Sequence, residues 1–296
     1  MNEFWQRRAT INFVPKKGSP FTVSDLKITF QVQKQSGVEP NTGKIMIFNM
    51  NPTHRGNVSW KFDINRQAYG GTVEVMAGYG DNPKQVFKGD IVQAINAKVG
   101  PDWITSIEGM TGIEALSNSN INKTFNAGKD NKSILKSLLD EIDGIGIKQE
   151  VKGYIDSIFG SSKTKKAQSL IGSLSDVIQK INDKFAGKLS ISIDEKGIKV
   201  TPPGMSNGDP KVYLTPTNGL LETPETTNTG VNIKTLLMPE LRSGSPINIK
   251  SKTIDALGKG GEYVIEKVTH SGDSREGEFV SNLVCLFPVE NITPVL

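Results

Sequence analysis

Leu26-Lys27-Ile28-Thr29-Phe30-Gln31-Val32 alternates apolar and polar residues, and Pro40-Asn41-Thr42-Gly43 then leads into Ile45-Met46-Ile47-Phe48. A period of two is the mark of a strand with one buried face, and the Pro-Asn-Thr-Gly stretch is turn chemistry. The same texture continues through Thr72–Ala77, Ile91–Val99 and Trp103–Glu108, with Gly100-Pro101-Asp102 as a hairpin turn before the last of these. In Ile91–Val99, alternation puts Ile91, Ile95, Ala97 and Val99 on one face, with Gln93 its only polar member. The first region, to about Asn120, therefore reads as β.

From about Asn120 to Pro203 the texture changes. Ile134, Leu135, Leu138, Leu139 and Ile142 form a stripe at helical spacing, with Asp130 or Asn131 as the cap and Gly144 as the stop. A second helix is expected from about Lys165 to Ala186, on the stripe Leu170, Ile171, Leu174, Val177, Ile178, Ile181 and Phe185, ending at Gly187. Leu189–Ile193 and Ile198–Val200 then read as a hairpin around Asp194-Glu195-Lys196-Gly197. The intervening Gly153–Thr164 stretch is expected to be mobile.

After Pro202-Pro203-Gly204 the chain is β again, most clearly in Ile247–Lys250, Tyr263–His270 and Phe279–Leu286. The first and third regions share a pattern. Each has a short strand, a glycine-containing loop (Gly78–Lys84, then Leu257–Gly261), a long strand, a turn (Gly100–Asp102, then Ser271–Gly277) and a closing strand. The expected fold class is mainly β with an α/β insert. Its domains are 1–120, a small α/β module over 121–203, and 204–296.

A chain of 296 residues, 36% apolar and 22% charged, has the composition of a folded soluble protein. Lys and Arg number 35 against 31 Asp and Glu, and the formal charge of +4 is spread along the chain. That argues against a nucleic-acid binder, which concentrates cations along a phosphate track. The nearest cluster, Lys163, Lys165 and Lys166, sits beside a Gly/Ser turn and reads as a solvated loop; Arg7 and Arg8 form a second small group. The single cysteine, Cys285, excludes an intrachain disulfide and lies in an apolar run, as a buried thiol would. The start, Met1 to Arg8, has no apolar stretch of signal-peptide length, and no segment reaches the ~18 apolar residues of a membrane span. Cytoplasmic synthesis is expected.

Several constellations suggest chemistry without completing it. Gly204-Met205-Ser206-Asn207-Gly208 matches G-x-S-x-G, but that motif needs a strand before it and a helix after it. Here Asp209-Pro210 and the strand-like Lys211–Leu214 follow, so a linker is the simpler reading. His270 stands beside Ser271, Asp273 and Ser274, yet neighbouring strand residues point to opposite faces and a triad is spatial. His54 is the only other histidine, too few ligands for a zinc site. Asp140, Glu141 and Asp143, a conceivable glycosidase carboxylate group, read as the solvated face of the first helix. No catalytic, cofactor-binding or metal residue is assigned, and no cofactor is expected.

The order of motifs resembles phage tail-hub proteins. Asp25–Lys34 followed by Pro40–Met50 is similar to that family's strand, "PN" turn and "I-x-I-Y-N-L" strand, with Phe48 and Met50 replacing Tyr and Leu. Asn218–Glu225, Gly230-Val231, Leu236–Leu241 and Gly244–Ile247 resemble its "GL-x-x-x-P … GV … LLNP-x-L … G-x-x-I" series, with Met238 for Asn. Gly261–Asp273 is similar to "G-x-Y-x-V-x-x-V-x-H-x-G-D". The resemblance spans most of the chain and is weakest in the middle module.

It implies two tube-type β-barrel-like domains and a homotrimeric ring of six such units. The ring would join the tail tube protein to a central spike protein among other baseplate proteins, with DNA passing through the lumen. It would be found in the virion, and in the host cytoplasm during assembly. The first part of type VI secretion VgrG proteins shares this plan, so an injection device that is not a phage fits too. The competing classes are a tail-associated cell-wall hydrolase and a carbohydrate-binding tail-tip component.

Overall fold

In a computed structural model, which describes residues 6–37, 39–61, 70–144, 149–150, 163–185, 189–194, 197–202, 204–252, 254 and 261–289, the opening alternation forms a strand. Ile28, Phe30 and Val32 are buried, while Thr29, Gln31 and Gln33 face outward. The first region contains β1 (Arg7–Pro15), β2 (Phe21–Val23), β3 (Ile28–Gln35), β4 (Thr42–Phe48), α1 (Pro52–Val58), β5 (Trp60–Lys61), β6 (Gly71–Tyr79), β7 (Lys84–Val99) and β8 (Asp102–Met110). The middle holds α2 (Ile113–Asn118), β9 (Asn120–Phe125), α3 (Asn131–Gly144), β10 (Gln149–Glu150), β11 (Gln168–Ser173), α4 (Leu174–Lys184), β12 (Ser190–Asp194) and β13 (Gly197–Thr201). The last region adds β14 (Val212–Leu214), β15 (Glu225–Thr226), β16 (Gly230–Leu236), β17 (Pro246–Ile249), β18 (Glu262–Asp273) and β19 (Phe279–Leu286).

The two ends of the chain share one sheet of 14 strands, whose main path runs β15-β16-β19-β18-β3-β4-β8-β7-β6-β1-β2. The link is an antiparallel seam between β18 and β3, from Lys267 opposite Gln35 to Asp273 opposite Thr29. Among the described residues no pairing joins the two ends of that path, so the sheet is not closed into a barrel.

The pattern shared by the first and third regions reappears in the pairing. β6, β7 and β8 form an antiparallel meander, and so do β17, β18 and β19. Both long strands carry a β-bulge, between Ile91 and Gln93 and between Ile265 and Lys267. In both, the neighbour on one edge changes at the bulge: β7 passes from β6 to β5, and β18 from β17 to β3. A bulge bends a strand and adds twist, which lets one edge serve two partners.

The bulge also corrects the reading of Ile91–Val99 as one face. Ile91 is buried, the extra residue reverses the alternation, and Ala94 is the next side chain to enter the core. Ile95, Ala97 and Val99 are consequently exposed.

The middle module contains α3 as expected and the β12–β13 hairpin, with residues 195–196 outside the described set. The second helix is shorter than expected. Gln168–Ser173 is a strand paired with β9, and the helix begins at Leu174. Ser173 caps it: its side chain accepts from the Asp176 amide, and the Asp176 carboxylate accepts from the Ser173 amide. This capping box fixes the start against a stripe that continues upstream. Leu174, Val177, Ile178 and Ile181 are buried with Ile134, Leu135 and Leu138 of α3. Most of the Gly153–Thr164 stretch lies outside the described residues; Thr164 is buried and donates its amide to Lys129 O at 2.8 Å.

Phe87, fully buried on β7, lies against Gly43 of β4, Gly109 of β8 and Gly89 two residues along its own strand. A Cβ added at Gly43, Gly89 or Gly109 would come within 2.7, 2.7 or 3.0 Å of its ring. Gly43→Ala is expected to cost about 1–3 kcal/mol in denaturant unfolding through overpacking. Combined with Phe87→Leu, the loss should be clearly less than additive. Additive losses would mean that the ring does not set the requirement for glycine.

Candidate functional site

His270 is completely buried on β18, directly opposite Ser281 of β19. Its Nδ1 lies 2.8 Å from Ser281 Oγ and its Nε2 lies 3.2 Å from Leu241 O. A carbonyl only accepts, so Nε2 carries the proton and Nδ1 accepts from the serine hydroxyl. Ser281 Oγ in turn accepts the Met238 amide at 3.1 Å. The contact resembles the serine–histidine half of a nucleophilic site, but Ser281 is fully buried as well. The pair ties β18 and β19 to the 238–241 segment. Ser271, Asp273 and Ser274, its sequence neighbours, are not its partners.

Burial, with the nearby Lys34 charge, lowers the His270 pKa from 6.5 to about 3, against the hydrogen bond to Leu241. Between those values the unfolded chain takes up a proton and the folded chain does not. The contribution is therefore intact above pH 6.5 and is lost as pH falls toward 3.

A second junction was not anticipated from sequence. Arg242 is 9% exposed and binds Asp209 side-on, Nε to Oδ2 and Nη2 to Oδ1, each at 2.7 Å. Its Nη1 reaches Asp194 Oδ2 at 2.9 Å, and Asp194 is 6% exposed. Ser245 Oγ and Asn207 Nδ2 also donate to Asp209 Oδ2, at 2.9 and 2.8 Å. Burial alone would raise the Asp209 carboxyl; the Arg242 ion pair and these donors outweigh it and hold the carboxyl well below its usual range. Asp194 ends β12 of the middle module, while Arg242 and Asp209 belong to the third region, so the cluster bolts the two together.

The G-x-S-x-G stretch serves the same junction. Asn207, buried, donates its amide to Gly244 O at 2.8 Å, and Ser206 Oγ accepts the Gly208 amide at 3.0 Å. β13 precedes the motif, but β14 rather than a helix follows.

The remaining candidates are dispersed. His54 lies on α1, stacked on Phe21 at 3.9 Å between ring centres. Asp140 is exposed on α3; the side chains of Glu141 and Asp143 lie outside the described residues. Burial pushes the Cys285 thiol up to about 12. Lys163, Lys165 and Lys166 are exposed. Arg8 pairs with Asp81 at 2.6 Å, and Arg7 donates to Gly277 O at 2.6 Å while covering the Phe279 ring. Among the described residues no group of three or more His, Cys, Asp or Glu is placed to hold a metal, and no helix is long and apolar enough to cross a membrane.

The fold is shared with phage tail and type VI secretion proteins. The 43 kDa tail protein of prophage MuSo2 from Shewanella oneidensis aligns at 10% identity and a TM-score of 0.59, covering 95% of this chain and 98% of that one. A tail protein from Neisseria meningitidis MC58 aligns at 11% identity and 0.59, covering 95% and 97%. The E. coli c3393 protein, a type VI secretion component described as structurally similar to the T4 tail proteins gp27 and gp5, aligns at 12% identity and 0.55, covering 89% and 74%. No curated protein matches the sequence.

These solved structures share the fold of this chain. Residues 8–285 match the family described as Baseplate hub gp41, and the chain belongs to that family. Membership gives the chain a place in the phage tail baseplate, and hence in the virion.

Arg242→Met is expected to lower stability by about 3–5 kcal/mol, because two carboxylates are left without their cation in a largely dry site. Thermal or urea unfolding reads this. For His270, stability measured from pH 7 to pH 4 should fall more steeply in the parent than in His270→Gln, which has nothing to titrate there. Parallel curves would mean that the ring is protonated in the folded chain.

Proposed function

We propose that the chain is a non-enzymatic hub subunit. Three copies form a ring of pseudo-sixfold symmetry that joins the tail tube to the central spike and passes DNA through its lumen. The observation that carries this reading is the duplicated bulged meander, β6-β7-β8 and β17-β18-β19, within one sheet. Two similar units per chain turn a threefold ring into six similar positions. A closed ring also covers sheet edges that a lone subunit leaves open. The tube-type, barrel-like units correspond to 1–120 and 204–296, with 121–203 as the inserted module.

The absence of catalysis is supported by the use of His270 and Ser281 inside the core, and by the strand that follows Ser206. A loose grip on DNA is supported by the partnering of Arg7 and Arg8 and by the +4 balance. Contact with a polyanion would then be counterion release alone.

Electron microscopy of assembled tail tips should find three copies around the axis; six copies would overturn the proposal. Particles carrying Ser206→Ala, Asp140→Asn or Glu141→Gln should clear cell wall as the parent does, and lost clearing with normal assembly would restore the hydrolase reading. Labelled duplex titrated onto the purified ring should bind weakly at low salt and lose that binding as salt rises. Tight binding that survives high salt would contradict a conduit.

A further inference from the structure

The free end of the β7–β8 hairpin displays apolar side chains to solvent. Beyond the bulge Ile95 is 39% and Val99 57% exposed, and Ala97 between them is exposed. The register adds Ile104 opposite Ala97 and Phe48 opposite Ile104; Met46 and Ile95 flank Ser106 in the next row. These six residues form one apolar patch on the outer sheet face. Single exposed apolar residues are ordinary, but a contiguous patch is the usual mark of a contact surface.

The hairpin end is braced. Asn49, at a φ of +59°, donates its amide to Trp103 O at 2.7 Å and accepts from the Trp103 amide at 2.9 Å. Its Nδ2 donates to Asp102 Oδ1 at 2.7 Å, and the Arg55 guanidinium covers the Trp103 ring at 4.2 Å. A surface held rigid before binding loses little entropy on association.

The other end of β7 borders a groove of about 410 Å³ lined by Tyr79, Lys84, Tyr213, Leu237, Met238 and Pro239. Tyr213 is 59% exposed, and the Lys84–Glu240 pair, 4.0 Å apart, sits at the rim. The groove borders the start of the 16-residue strand β7 and the patch lies at its hairpin end beyond the bulge, so the two surfaces sit at opposite ends of one strand. Each rim carries one cation and one anion, Lys98 with Asp102 at the hairpin and Lys84 with Glu240 at the groove, so opposite charges can exchange partners when a tip meets a groove.

We propose that the β7–β8 tip of one copy seats in the groove of the next, so that the copies join head to tail. Two different surfaces in contact generate a ring when the rotation closes. The inference rests on the ring reading above and assigns its contact residues.

Cysteines at Val99→Cys and Met238→Cys, introduced together, test it in assembled particles, where buried Cys285 stays silent under mild oxidation. A cross-linked species that closes at three copies is expected. Three copies in the particle without cross-linking would overturn this contact and leave the ring intact. A ladder closing at another number would support the contact and overturn the ring reading. Val99→Cys alone, if it yields disulfide dimers, would show the patch facing itself and overturn the head-to-tail arrangement. Ile95→Asp with Val99→Asp should fold with unchanged melting yet be absent from particles; normal incorporation would also count against the contact.

Discussion

Everything above the level of single strands depends on the seam between β18 and β3. It pairs strands from opposite ends of the chain, and it closes at both ends with backbone bonds: Ser274 N–H to Ile28 O at 2.9 Å, and Ser36 N–H to Glu266 O at 3.1 Å. Without it, β3 and the second half of β18 would each present an unpaired strand edge, which invites wrong pairing. With it, the two copies of one motif become a single sheet. The bulge in β18 makes this possible, because it frees the second half of that edge from β17 and offers it to β3.

The buried polar groups lie around this frame. His270 sits on the seam strand and uses Ser281 and Leu241 O to fix β19 and the 238–241 segment. Arg242, its backbone adjoining Leu241, reaches away to Asp209 and Asp194 and so ties the middle module to the same segment. A buried ion pair adds little net stability over an apolar filling, yet it is costly to leave half-made. Such groups suit a subunit that must hold its parts in one orientation, since alternative packings leave charges or a histidine unpaired.

β3 was legible because apolar and polar residues alternate with the apolar face buried; β4 and β8 carry Met46, Phe48 and Ile104 on the outer face and were legible from their apolar content and the turns beside them. The helix α3 was legible from its stripe and from Asp130 and Gly144 at its ends. The start of α4 was written in the sequence as Ser173 and Asp176, but the apolar stripe continues through Leu170 and masks it. The bulge near Val92 was not legible, because an extra residue in a strand has no composition of its own. Neither was the Arg242 junction: its three charges come from separate segments, and nothing local marks Arg242 as buried. The partners of His270 were not legible, since cross-strand neighbours are set by register rather than by adjacency. The repeat, read from pattern alone, was the feature that carried furthest.

Native-state hydrogen exchange across the β3–β18 seam tests this account most directly. If the seam unites the sheet, the amides of Ser36 and Ser274 and those of β18 should open with the same free energy as β7 and β8, in one global event. Seam amides that exchange at a distinctly lower free energy, while each meander stays protected, would show two units merely in contact and contradict the single-sheet account.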